Sequence, residues 1–76
     1  MNNQRRKSIQ AAIDALQDLV LQIEGLRDEE QEYYDYMPES IQSGEKGDNA
    51  QTAIDSLDSA ATYLSDALDS LQEASQ

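Results

Sequence analysis

Two apolar stripes at helical spacing restrict this chain to an all-α fold. They consist of Ile9, Ala12, Leu16, Leu19, Ile23 and Leu26 in the first half, and of Ile54, Leu57, Ala61, Leu64, Leu68 and Leu71 in the second. Steps that alternate between three and four residues place each stripe on one face of an α-helix. Ile13 and Val20 widen the first stripe, and a row of alanines that begins at Ala53 recurs every seven residues beside the second. Each apolar face is therefore wider than one partner helix covers.

One proline and two glycines separate the two stripes. The residue before Pro38 avoids helical angles, so the first helix ends before it. Gly44 and Gly47 mark a linker. The sequence thus predicts a single helical-hairpin domain, residues 1–76, with a first helix over about 3–37, a docked linker over 38–48 and a second helix over about 49–75.

The chain is small, and small domains are rarely stable without disulfides, bound metals or association with another chain. Its 76 residues include no cysteine, so disulfides cannot supply the missing stability. Two hairpins packed into an antiparallel four-helix bundle would bury both apolar faces. We therefore expect an antiparallel two-helix hairpin that forms a homodimer. The expected oligomer interface consists of Leu16, Leu19, Ile23, Leu57, Leu64 and Leu68.

The composition argues against several classes of function. The chain has no histidine, which removes the commonest general base and metal ligand. Its longest apolar run, Leu19-Val20-Leu21, is far too short to span a bilayer, and its start does not read as a signal peptide. We therefore expect a cytoplasmic protein. The net charge of −11 disfavours nucleic acid and anionic membranes as direct partners and favours basic protein surfaces.

Residues 28–35 hold five acids and no base. The acids are Asp28, Glu29, Glu30, Glu32 and Asp35. They lie at the C-terminal end of the first predicted helix, where the helix dipole disfavours each negative charge by about 0.3–1 kcal/mol. The bases Arg5, Arg6 and Lys7 lie at the other end, where antiparallel pairing would set acids of the second helix opposite them. A solvated surface is one explanation of the acidic cluster, and a binding site is the other.

The density of these acids approaches that of nucleic acid. Five charges over eight helical residues give one charge per about 2.4 Å of helix axis, and duplex DNA carries one per about 1.7 Å. The cluster would suit a basic groove meant for DNA or RNA, with Tyr36 as an anchor of the kind found at interface hot spots. The candidate partner-binding residues are Asp28, Glu29, Glu32, Asp35, Tyr36 and Glu39.

Catalysis has weaker support in the sequence. Glu29 and Glu32, followed after twelve residues by Glu45 and Asp48, formally match the carboxylate pairs of the all-α nucleoside-triphosphate pyrophosphatases. Those enzymes hold Mg²⁺ between carboxylates on two helices. Here Gly47 interrupts the second pair, which we therefore expect to lie in the linker. No nucleophile is paired with a base, so we expect a non-enzyme with no cofactor and no metal.

The middle of the chain carries a specific run of residues. Residues 29–44 read Glu-Glu-Gln-Glu-Tyr-Tyr-Asp-Tyr-Met-Pro-Glu-Ser-Ile-Gln-Ser-Gly, and Ala53-Ile54-Asp55 follows in the second helix. Through Met37-Pro38-Glu39, Ile41-Gln42 and this later triplet, the chain resembles a family of small acidic hairpin proteins from phages and prophages of Gram-positive bacteria. The resemblance implies a hairpin fold, a phage context and the cytoplasm of a bacterial host, but no assigned activity.

Three functions remain open at this point. The first is a non-enzymatic protein-binding module, a phage-encoded acidic inhibitor of a host nucleic-acid-binding or defence protein. It would act by nucleic-acid mimicry, as an anti-CRISPR or anti-restriction protein, an expectation that depends on an analogy of size and charge. The second is an oligomerising structural or assembly protein that acts through its coiled-coil stripe. The third is a Mg-dependent nucleotide pyrophosphatase.

Overall fold

The structure, a computed structural model that describes residues 2–76, is an extended all-α hairpin. Its helices are α1 (Asn3–Asp35), α2 (Glu39–Gln42) and α3 (Glu45–Ala74). The long helices α1 and α3 pack antiparallel, and the short α2 lies at the bend and packs against α3. The molecule measures 59 × 14 × 12 Å along its principal axes. The predicted antiparallel hairpin is confirmed. None of the helices in the described part of the chain has an apolar stretch of the length that a bilayer requires.

The start of α1 and the turn after it follow from local chemistry. The side chain of Asn2 accepts a hydrogen bond of 2.7 Å from the backbone N–H of Arg5, which caps the first turn of the helix. At the other end α1 stops at Asp35, two residues short of the predicted boundary near residue 37. Pro38 then precedes α2, where its fixed φ of −56° and its lack of an N–H suit the start of a helix.

The linker is shorter than the sequence predicted, because α3 begins at Glu45 and not near residue 49. Gly44 is the N-terminal cap of this helix, and Gly47 is buried in its first turn. A Cβ atom built on Gly47 would lie 2.6 Å from the Cα of Gln42 and closer still to the carbonyl group of Gln42. Gly47 therefore does not break the helix. It allows the end of α2 to lie directly against α3.

The buried seam of α1 is rotated from the predicted stripe. Ile13 is buried and Val20 is half-buried, whereas Leu19 is 40% exposed and Leu26 is 50% exposed. The seam continues past the apolar stripe with residues spaced by three and four, namely Arg27, Glu30, Tyr34 and Met37, all of them half-buried. The apolar face of α1 is three columns wide, and α3 covers two of them. Leu19 and Leu26 belong to the column that stays open.

On α3 the predicted stripe is the observed one. Ile54 and Ala61 are buried, and the four leucines of the stripe are half-buried. The seam extends toward the bend through Gly47 and Ala50, both buried. Within the described residues the buried apolar side chains are only Ile13, Ala50, Ile54 and Ala61, and two of these are alanines. The hairpin thus has a thin core for its length.

Candidate binding site at the bend

Hydrogen bonds join α2 to the last turn of α1 and to the proline that precedes α2. The side-chain amide of Gln42 donates to the carbonyl oxygen of Tyr34 at 2.9 Å, which joins α2 to the last turn of α1. The backbone N–H groups of Ile41 and Gln42 donate to the carbonyl oxygen of Pro38 at 2.8 and 3.0 Å. Together with the close approach of Gly47 to Gln42, these bonds fix the end of α1 relative to α3.

An open groove of about 550 Å³ lies on one side of this bend. Its apolar part is formed by Tyr33, Tyr36, Met37, Pro38 and Ile41, and its charged part by Glu29, Glu32 and Lys46. All three helices or their flanking turns contribute to it. We call this set of residues the bend groove. It offers an apolar surface next to two carboxylates.

A second depression, of about 490 Å³, lies on the outer surface of α1. It is lined by Asp28, Gln31, Glu32, Asp35 and Tyr36. Glu32 and Tyr36 therefore line both depressions and form the ridge between them. Tyr36 is 80% exposed, so its ring is presented almost entirely to solvent. A partner that spans the ridge would contact Glu32 and Tyr36 from both sides.

Two of the acids in the cluster have partners of their own. The guanidinium of Arg27 lies 3.0 Å from Oδ1 of Asp28 and 2.9 Å from Oδ1 of Asp58 on α3. The hydrogen bond to Asp58, followed by that to Asp28, raises the pKa of Arg27 above its ordinary value. Asp35 accepts a hydrogen bond of 2.9 Å from the side chain of Gln31. Asp28 is thus partly neutralised by the base that directly precedes the cluster in the sequence.

The structure brings five of the six predicted partner-binding residues together. Asp28, Glu29, Glu32, Asp35 and Tyr36 line the two adjoining depressions. The sixth, Glu39, begins α2 and is exposed, but it lines neither of them.

Reasoning from charge missed the apolar half of the site. Met37, Pro38 and Ile41 line the bend groove with the acids, and so does Lys46. Three of these four residues belong to the segment from Met37 to Gln42, whose apolar side chains in an otherwise polar linker were the signal available in the sequence.

The second carboxylate pair is helical, contrary to expectation. Glu45 and Asp48 lie in the first turn of α3, because Gly44 caps this helix and Gly47 is accommodated within it. Glu29 and Glu32 line the bend groove, whereas Glu45 and Asp48 do not. Among residues 2–76 no group of three acidic side chains is placed to hold a metal ion. The pyrophosphatase hypothesis therefore has a residue pattern but no assembled carboxylate site.

Comparison of the chain with protein-family models, with curated proteins and with solved structures finds no match.

Proposed function

We propose that this chain is a non-enzymatic protein-binding module that uses the bend groove to bind a basic surface of another protein. The observation that carries the proposal is the groove itself, in which an apolar floor of Met37, Pro38 and Ile41 lies beside the carboxylates of Glu29 and Glu32. Binding sites on proteins commonly combine apolar surface with a few placed charges in this way. The fully exposed ridge residue Tyr36 is of a type enriched at interface hot spots.

The chemistry of the groove defines what a partner must present. An aliphatic or aromatic side chain would fill the apolar floor, and arginine or lysine beside it would pair with Glu29 and Glu32. Within residues 2–76 these two carboxylates have no ion-pair partner within 4.0 Å, so they are available to another protein. The net charge of −11 would also speed the encounter with a basic partner.

Nucleic-acid-binding proteins are the partner class that fits this charge. Their basic grooves are built for closely spaced negative charges. On α1 the acids Glu29, Glu32 and Asp35 are exposed and form no ion pair within 4.0 Å among residues 2–76. The resemblance of the central segment to phage hairpin proteins supports a more specific form of the proposal. In that form the chain is a phage-encoded inhibitor of a host defence nuclease, such as a restriction or CRISPR enzyme, and it occupies the groove meant for DNA or RNA.

A displacement experiment with two matched double variants tests this proposal. A restriction or CRISPR nuclease of a Gram-positive host is bound to fluorescently labelled duplex DNA, and the anisotropy is followed as the chain is added. We expect the wild-type chain to displace the DNA and the E29Q/E32Q variant to lose most of this ability. The D55N/D69N variant removes two exposed charges from α3, away from the groove, and should displace DNA as the wild type does. Equal activity of the two variants would refute a site at the bend.

A second candidate function, that of an oligomerising structural or assembly protein, is favoured by the open apolar column of α1. Leu19 and Leu26 are large apolar residues that the hairpin leaves exposed. If assembly through this column is the function, a charged residue in place of Leu26 abolishes it and E29Q/E32Q does not. If the bend groove is the functional site, E29Q/E32Q abolishes the function and a charged residue in place of Leu26 does not.

A further inference from the structure

Two heptad rows of the hairpin, one on each long helix, contain no charged residue. The row on α1 consists of Ala12, Leu19, Leu26 and Tyr33, which follow one another at intervals of seven residues. The row on α3 consists of Ala53, Ala60, Ala67 and Ala74, at the same interval. We call these eight residues the uncharged face. The residue seven positions before the first member of each row is a base. It is Arg5 on α1 and Lys46 on α3.

Both rows lie on the same side of the hairpin. Tyr33 from the first row and Lys46, which continues the second, line the same groove at the bend. The ion pair between Arg27 and Asp58 lies in a different depression, which Glu24 and Asp66 also line. Away from the bend, where Glu29 and Glu32 lie near Tyr33, neither row contains a charged residue, although acids and bases make up 28% of the chain. Solubility alone would favour an even distribution of charge.

The side of the hairpin that carries this face is large enough for a stable dimer. The whole side is 59 Å long and 14 Å wide, roughly 800 Å², which is the area that each partner contributes to an interface of standard size. The uncharged face itself spans about 32 Å of that length, at 1.5 Å per helical residue. Leu19 and Leu26 are the large side chains that such an interface would bury. The four alanines of α3 would let a second backbone approach closely, and the thin core of the hairpin leaves a strong requirement for more apolar burial.

We propose that a second copy of this chain covers the uncharged face, with the two rods antiparallel and a two-fold axis that passes beside Leu19. Ala12 and Leu26 lie seven residues on either side of Leu19, and Arg5 and Tyr33 lie fourteen residues on either side. The two-fold rotation therefore sets the small Ala12 of one copy against the large Leu26 of the other. It also sets Arg5 of one copy against the ring of Tyr33 of the other, a cation–π pairing. The face is complementary to itself in size.

Charge selects the antiparallel arrangement over the parallel one. Within residues 2–76, Arg5, Arg6 and Lys7 form no ion pair within 4.0 Å, so the acids of α3 do not neutralise them as the sequence suggested. Antiparallel rods place these bases beside the acidic bend of the other copy. Parallel rods would place two acidic bends side by side in a molecule that already carries a net charge of −11 per chain. The antiparallel dimer covers Tyr33 and places the rest of one bend at each end of the assembly.

The oligomeric state of two leucine variants tests the proposal. Leu19 and Leu21 are both exposed on α1, but only Leu19 belongs to the uncharged face. We expect the wild type and L21E to sediment at twice the mass of one chain and L19E, which would bring two carboxylates together at the axis, to sediment as a monomer. Far-UV circular dichroism checks that both variants remain helical. A monomeric wild type, or dissociation by L21E and not by L19E, would overturn the proposal.

A crosslinking experiment tests the orientation and does not require dissociation. Because the chain has no cysteine, a single L19C substitution provides one thiol per copy. In the antiparallel dimer α1 packs against α1 of the other copy, so a short bismaleimide should link L19C chains into covalent dimers in high yield. The L21C variant, with its thiol off the face, should remain uncrosslinked. Failure of L19C to link in a dimer of confirmed mass would refute the antiparallel arrangement.

Discussion

Gly47 shows how the absence of one side chain determines the shape of the bend. The site of its missing Cβ is occupied by the backbone of Gln42, which cannot move without disturbing α2. We expect G47A to lower the free energy of unfolding by about 1–3 kcal/mol, because the overlap costs more than the gain in helix propensity returns. Urea denaturation followed by far-UV circular dichroism measures this change.

Gly25 provides the matched control for that substitution. It lies inside α1, and a Cβ there would meet nothing within 4 Å. We expect G25A to raise the stability by about 0.5–1 kcal/mol, the usual difference between glycine and alanine in a helix. If both substitutions stabilised the protein, the close approach of α2 to α3 at Gly47 would be disproved.

Arg27 contacts Asp58, a residue of the other long helix that is far from it in the sequence. It occupies a core-facing position of α1, yet its guanidinium reaches Asp28 beside it and Asp58 on the other helix. Folding raises its pKa, and a base whose pKa is raised in the folded state stabilises the fold at every pH below its ordinary pKa. We therefore expect R27Q to cause a small loss of stability that is the same at neutral and at mildly alkaline pH. A loss that shrank between these two conditions would contradict this.

At the scale of the helices, apolar periodicity predicted the two long helices but not which positions of α1 pack against α3. The large aliphatic residues of α3 form one stripe, with only alanines as aliphatic residues beside it, and the structure buries or half-buries that stripe as predicted. The apolar positions of α1 form a band three columns wide, and spacing alone cannot tell which two columns α3 covers. Arg27 and Glu30 complete the observed seam near the bend, and a search for apolar periodicity passes over such residues.

Only part of the site at the bend was predicted, because the rest of it depends on contacts between residues that are not adjacent in the sequence. The acids and Tyr36 stand out in the sequence by composition, and five of the six predicted residues come together. The contribution of Met37, Ile41 and Lys46 depends on how α2 folds back, which Gly47 and Gln42 determine through a contact in space. Glycine spacing predicted a linker there, and the early start of α3 was therefore missed.

The acidic end of α1 predicts a conflict between stability and binding. Glu32 lies in the last turn of α1, which contains no basic residue and where the helix dipole disfavours a negative charge. We expect E32K to raise the stability by about 0.3–1 kcal/mol and to abolish displacement of DNA from the partner nuclease. Thermal unfolding and the displacement assay are measured on the same preparation.

The control for Glu32 is an acid in the middle of the same helix. Asp18 is exposed and lies far from both ends of α1, so D18K reduces the overall negative charge without changing the interaction with the dipole. It should stabilise the protein less than E32K and leave displacement intact. Equal effects of the two variants on both measurements would mean that only total charge matters.

At the scale of the whole molecule, the two proposed surfaces meet at Tyr33, which lines the bend groove and is the last residue of the α1 row of the uncharged face. The uncharged face runs along the rod, and the bend groove lies at its end. An antiparallel dimer would display two acidic bends separated by about the length of the rod, which is 59 Å. Such a dimer could engage two copies of a basic partner or two distant parts of one partner, so dimerisation would raise the apparent affinity without adding contacts at either bend.

The net charge of −11 makes the last prediction one about salt. Sixteen acids against five bases repel one another in the folded rod more than in the expanded unfolded chain, and salt screens this repulsion. At a fixed protein concentration we therefore expect sodium chloride to raise the midpoint of thermal unfolding, while it weakens binding at the bend. Sucrose is the control for the effect of salt on the unfolding midpoint, because it stabilises proteins by exclusion from their surface and does not screen charges. It should leave binding at the bend unchanged. A midpoint that fell with salt would mean that attractive pairs such as Arg27 with Asp58 outweigh the repulsion.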